Sequence, residues 1–113
     1  MPVKDPKIYL NHILESILAI REYVSKLTEE EFFEDTEKQD AVIRRFEVIG
    51  EAIKNVSSDV RSGDLDIPWK KMAGFRDVLI HQYFNVNLAQ VWDTIQKDLD
   101  GLEFAVKKLL NLL

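Results

Sequence analysis

Apolar positions recur every three or four residues along almost the whole chain, the period of a helix that buries one face. Ile13, Ile17, Ile20, Val24 and Leu27 follow Asp5-Pro6, a side-chain acceptor with proline at the first helical position, and predict a helix over 6–27. Thr28 with Glu31 and Thr36 with Gln39 both match the capping-box pattern, the second more strongly, which implies a short acidic helix or turn and then a new helix. Val42, Phe46, Ile49, Ile53, Val56 and Val60 form the stripe of that helix over about 37–61, with Asp40, Arg44, Glu47 and Glu51 in a polar line beside it. Ser62-Gly63-Asp64 stops it, Ile67-Pro68-Trp69 starts a fourth segment, and Asn85 to Asn87 ends that one. Asn87 with Gln90 caps the last helix, where Leu88, Trp92, Ile95, Leu99, Leu102, Val106, Leu109 and Leu113 alternate in steps of four and three. Its e and g charge patterning is weak and partner stripes are already present over 6–27 and 37–61, so an intramolecular bundle is expected rather than a coiled coil. The expectation is all-α: one domain over 1–113, an up-and-down bundle of four long helices plus the short acidic helix or turn.

Composition adds limits. A chain of 113 residues with 46% apolar content supplies a core without a staple. It contains no cysteine and only His12 and His81, so a zinc-held fold is not expected. Without a signal sequence or an apolar run of roughly 18 residues, it reads as a cytoplasmic protein with no membrane partner. The net charge of −5 opposes a broad nucleic-acid footprint. Six of the 20 acids, however, crowd between Thr28 and Glu37, leaving 14 acids against 15 bases elsewhere. An anion site here has to be local.

Chemistry-bearing groups concentrate in the fourth helix, in the run Gly74-Phe75-Arg76-Asp77-Val78-Leu79-Ile80-His81-Gln82-Tyr83-Phe84. On an ideal wheel Met72, Arg76, Leu79 and Tyr83 fall within about 60° of one another, flanked by Trp69 and Ile80. Arginine therefore sits on the apolar face. Lys70, Gly74, Asp77 and His81 share another face, where Asp77 and His81, spaced i to i+4, place a carboxylate within reach of an imidazole. Phe75, Val78 and Phe84 add apolar bulk outside the stripe, so this helix should be covered on more than one side, a second subunit being the simplest cover. Gly50 and Gly74, each costing about 1 kcal/mol inside a helix, suggest close helix approach nearby.

Plainer roles exist for each residue. Arg76 serves equally as a structural bridge to Glu47 or Glu51, His81 as a residue near a helix end, and Tyr83 as a core aromatic. His12 reads as surface, and Lys70 and Lys71 as solvated cations that could also guide phosphate toward the motif. Arg76 and His81, five apart, diverge by about 140° on a straight helix. A bend, the reach of arginine or a two-fold axis must unite them, and a dimer does so most simply.

Taken together, Arg76, His81 and Tyr83 resemble the R-x-x-x-x-H-x-Y motif of the HEPN superfamily, in particular the HepT-like toxins. Gln39-Asp40-Ala41-Val42-Ile43-Arg44, Ile49-Gly50-Glu51-Ala52, Ile67-Pro68-Trp69 and Val91-Trp92 extend the resemblance over nearly the whole chain. It implies a HEPN-like homodimer with the motifs lining an interfacial cleft, and a metal-independent endoribonuclease needing no cofactor. Arg76 and His81 would be catalytic, with Asp77 orienting His81. It further implies that a cognate minimal nucleotidyltransferase antitoxin transfers AMP to Tyr83 and so neutralises the toxin. The chain has neither a glycine-rich phosphate loop nor a nucleotidyltransferase signature, so it would be that enzyme's substrate. The alternative is a non-catalytic nucleotide-binding or adaptor subunit that partners a nucleotidyltransferase.

Overall fold

The computed structural model describes residues 5–56, 66–81 and 86–113, with side chains from residue 69 onward in the second span. Among them are five helices and no strand: α1 (Pro6–Val24), α2 (Glu29–Glu34), α3 (Thr36–Asn55), α4 (Asp66–His81) and α5 (Leu88–Leu112). The all-α expectation holds, as four long helices and the short acidic one.

Helix ends are set by individual acceptors. Asp5 caps α1 by accepting from the Lys7 backbone N–H at 2.9 Å, with Pro6 in the first turn. Asn87 caps α5 through the Gln90 N–H at 3.1 Å. Of the two capping boxes, the first is the one that forms: Thr28 and Glu31 exchange side-chain-to-backbone bonds of 3.0 and 3.2 Å. At the second site Asp35 takes the cap, accepting from Lys38 N–H at 3.0 Å. A carboxylate one residue earlier outcompetes the threonine, and Gln39 turns back to donate to the carbonyls of Phe32 and Phe33. Helices α1 and α3 are also shorter than the apolar pattern suggests. Ser25 caps α1, and Val56 leaves helical geometry (φ −87°, ψ 127°) while staying buried. Val60 and the break at 62–64 lie outside the described residues.

The predicted stripes converge. Leu10, Ile13, Ile17 and Ile20 of α1, Phe46, Ile49 and Ile53 of α3, and Leu99, Leu102 and Val106 of α5 form one core with Trp69 and Met72 of α4. Phe75 meets Phe46 edge-on at 5.1 Å between centroids, tying α4 to α3. Phe75 is therefore covered within the chain, whereas Val78 and Ile80 remain exposed and Phe84 lies outside the described residues. Arg21 of α1 reaches Asp100 and Glu103 of α5 at 2.5 and 2.7 Å, joining the outer rims of these helices.

The acidic α2 owes its place to one residue. Phe32 is fully buried and lies 5.4 Å from the Trp92 ring, while Glu29, Glu30, Glu31 and Glu34 of the same helix are exposed. Phe32→Ala should cost about 3–5 kcal/mol, the range for emptying a buried phenylalanine site. Urea unfolding read by far-UV circular dichroism checks this, and a loss below about 1 kcal/mol would show that α2 is not anchored there.

Candidate functional site at the crossing of α3 and α4

Arg76 emerges from α4 where that helix crosses α3 at Gly50. A Cβ added to Gly50 would stand 2.6 Å from Cγ of Arg76 and closer still to its Cβ, so only glycine lets the two helices approach this far. The close approach inferred from sequence is real here. Gly74, by contrast, is exposed, and a Cβ added there would meet nothing within 4 Å.

The guanidinium meets Glu51 of α3 at 2.9 Å and Asp77 of its own helix at 3.2 Å. Two of the five N–H donors of an arginine are thereby used, and Nε is buried without a partner among the described residues. The bridge to Glu51 allowed by the sequence is present, and Glu47 makes none. Lys54, which sequence reasoning did not single out, approaches the Asp77 carboxylate at 2.5 Å. The Lys54 hydrogen bond first, and that of Arg76 second, hold the Asp77 carboxyl below its ordinary value of 3.8. A depressed carboxyl stabilises the fold above its unfolded value and loses that contribution as pH falls through the lowered one. At neutral pH the link between α3 and α4 is therefore fully charged.

His81 is exposed in the last turn of α4. Its Nδ1 lies 2.7 Å from the backbone carbonyl oxygen of Asp77. A carbonyl only accepts, so Nδ1 carries the hydrogen and Nε2 of the neutral ring keeps its lone pair. Asp77 thus engages the imidazole through its backbone, not through the carboxylate that the i to i+4 spacing suggests, because Lys54 and Arg76 draw that carboxylate toward α3.

An open cavity of about 240 Å3 lies beside Arg76, lined among others by Tyr9 and His12 of α1 and by Arg44, Glu47 and Glu51 of α3. Ile80 also lines it, and His81 does not. Within one chain, then, Arg76 opens into this cleft while His81 stands outside it. Lys71 is exposed and pairs with Asp98 of α5 at 2.8 Å, and Lys70 is exposed. Tyr83 lies outside the described residues. No helix among the described residues is long and apolar enough to cross a membrane, and none of their His, Asp and Glu side chains form a group suited to a metal.

The family model described as "Ribonuclease HepT-like" matches residues 13–109, which contain both Arg76 and His81. The chain belongs to the HepT-like ribonuclease family. It is 42% identical over 106 residues to a protein of Thermococcus cleftensis named "Probable ribonuclease HepT", covering 94% of this chain and 96% of that one. A protein of Caldanaerobacter subterraneus, provisionally named an RNase, is 42% identical over 109 residues, covering 96% of this chain and 97% of its own length. A longer protein of Methanocaldococcus jannaschii, named a gamma-glutamylcyclotransferase and provisional RNase, is 50% identical over 108 residues. The HepT-like chain spans 96% of its own length in that match but only 49% of the longer protein. No solved structure matches it.

Arg76 and His81 match the R-x-x-x-x-H spacing, but the cleft residues on α1 carry no motif. Tyr9 and His12, three apart, lie on one ridge, and Arg44, Glu47 and Glu51 lie on another. That spacing was visible in the sequence. The meeting of the two ridges across a cavity was not.

Proposed function

We propose that this HepT-like chain is an endoribonuclease that cleaves RNA by attack of the ribose 2′-hydroxyl on the adjoining phosphodiester. Nε2 of His81 takes the 2′-hydroxyl proton as the 2′-oxygen bonds to phosphorus. Arg76 stabilises charge on the phosphoryl oxygens, and the departing 5′-oxygen takes up a proton. The products are a 2′,3′-cyclic phosphate and a 5′-hydroxyl. The observation that carries this reading is the held imidazole: on an exposed side chain whose Nδ1–H is committed to the Asp77 carbonyl, Nε2 is left as an available base.

Arg76 and His81 leave α4 in different directions, so the active species is a homodimer in which two copies together supply the guanidinium and the second proton-transfer group. Lys70 and Lys71 extend the RNA contact along α4. The enzyme is the toxin of a toxin–antitoxin pair. A cognate nucleotidyltransferase neutralises it by placing AMP on Tyr83, adding bulk and negative charge beside the phosphate-binding arginine. Purified protein should cut single-stranded RNA in EDTA and leave cyclic phosphate ends, as read by gel and mass spectrometry. Coexpression with the transferase should add one adenylyl group that Tyr83→Phe removes. Cleavage that needs an added metal ion would sink the proposed chemistry, and an adenylyl group that survives in Tyr83→Phe would move the modification elsewhere.

The pairing of Arg76 with Glu51 and Asp77 favours a second reading, a nucleotide-binding or adaptor subunit for the transferase. Calorimetric binding to the partner together with no RNA cleavage would select it.

A further inference from the structure

The cavity beside Arg76 contains groups that the cleavage step does not use. Arg44 is exposed on its rim and makes no hydrogen bond or ion pair among the described residues, even though Glu47 lies one turn away. Arg76 faces the same space with N–H donors to spare. Opposite them Tyr9 rests half-buried against the core, presenting a held aromatic surface, and His12 stands one turn further along α1. Glu47 and Glu51 line it too, beside the apolar Val48, Ala52 and Ile80, so the two guanidiniums are balanced by two carboxylates.

This mixture is unsuited to a bare anion, which the carboxylates would repel. It suits a ligand with an anionic end, a flat ring and hydrogen-bond donors. The volume of about 240 Å3 falls just short of the range of roughly 300–1,000 Å3 typical of small-molecule sites, enough for one such unit rather than several.

We propose that the cleft between α1, α3 and α4 is a subsite for one nucleoside monophosphate unit. Arg44 and Arg76 hold the phosphate, the Tyr9 ring stacks on the base, and Glu47 accepts from amino or ribose hydroxyl donors. Resting on the ribonuclease reading, this assigns the unit to an RNA nucleotide next to the one being cut. Free AMP has the same chemistry. The subsite would make the enzyme read its substrate on α1 and α3 as well as on the motif helix, at residues that no motif marks.

The test is binding of a fluorescent 2′-O-methyl RNA decamer, which lacks the attacking hydroxyl, to the full chain and its variants, with AMP and inorganic phosphate as competitors. Arg44→Ala should weaken binding about tenfold and reduce the slope of log affinity against log salt by about 0.7, the value for one phosphate contact on a single strand. Tyr9→Leu should weaken it roughly 5- to 150-fold, the range for losing one base stack, while Tyr9→Phe binds as wild type. AMP competing through Arg44 would name the free nucleotide as a sufficient ligand, and Arg44-dependent binding of the decamer that AMP does not displace would name the chain. Wild-type affinity and salt slope in both Arg44→Ala and Tyr9→Leu overturn the subsite, as does inorganic phosphate competing as well as AMP. Failure of the two readings is distinguishable. Lost binding in the variants of a protein that never cuts RNA retires the ribonuclease and keeps the subsite, and unchanged binding in a protein that cuts does the reverse.

Discussion

His81→Ala is expected to slow RNA cleavage by at least about 100-fold, the lower end of what a positioned general acid or base contributes, while leaving folding stability within about 0.5 kcal/mol. The two halves of this expectation have separate grounds. His81 is exposed, and its one side-chain hydrogen bond among the described residues is to a carbonyl of its own helix, so removing the ring opens no cavity and strands no buried charge. Its Nε2, in contrast, is the base that the proposed reaction requires. Arg76→Lys is the companion variant. It keeps the charge but loses the planar fork that bridges Glu51 and Asp77 and, in the proposed reaction, holds the phosphate, so its rate should fall by a similar order. Single-turnover cleavage of a labelled RNA beside urea unfolding reads both quantities. An unchanged rate in His81→Ala, with the protein folded, removes the imidazole from the chemistry.

Gly50→Ala should destabilise the protein by about 1–2 kcal/mol and lower cleavage with it. At an exposed helical position the same change stabilises by about 1 kcal/mol, so the expected sign is reversed. The reversal comes from Arg76, whose Cβ and Cγ occupy the space a methyl group would need. Cβ cannot rotate away from its own backbone, so α3 and α4 must separate, at the roughly 1–3 kcal/mol typical of overpacking. Separation also displaces the guanidinium from Glu51 and the cleft. Gly101→Ala in α5, where nothing lies within 4 Å of the added carbon, is the control and should be neutral or stabilising. Thermal melts of both variants decide the matter, and a stabilised Gly50→Ala would mean that the crossing is looser than these distances indicate.

Most of the architecture was legible in the order of residues, because each helix had to bury an apolar stripe and the stripes differ from their surroundings at every third or fourth residue. Ile49 and Ile53, Leu99 and Leu102 were placed correctly by period alone. The ends were less legible. Choosing Asp35 over Thr36 as a cap, or ending α3 at Asn55 ahead of the apolar Val56, depends on competition among neighbouring acceptors and on where the next helix sits. Periodicity does not record either.

The helical class, the apolar faces and the presence of arginine, aspartate and histidine together on one helix all follow from residue order alone. These are properties of local spacing, fixed by the geometry of a single helix. What those side chains meet came from the packing of helix on helix: Glu51 and Asp77 for Arg76, Lys54 for the Asp77 carboxylate, and a carbonyl for His81. Packing also brought Tyr9 and His12 across from Arg44, residues more than thirty positions apart in the chain. The physical reason is that a helix wheel gives the direction in which a side chain leaves its axis, while its partner is set by how closely two axes approach. At this site that distance is governed by the missing side chain of Gly50.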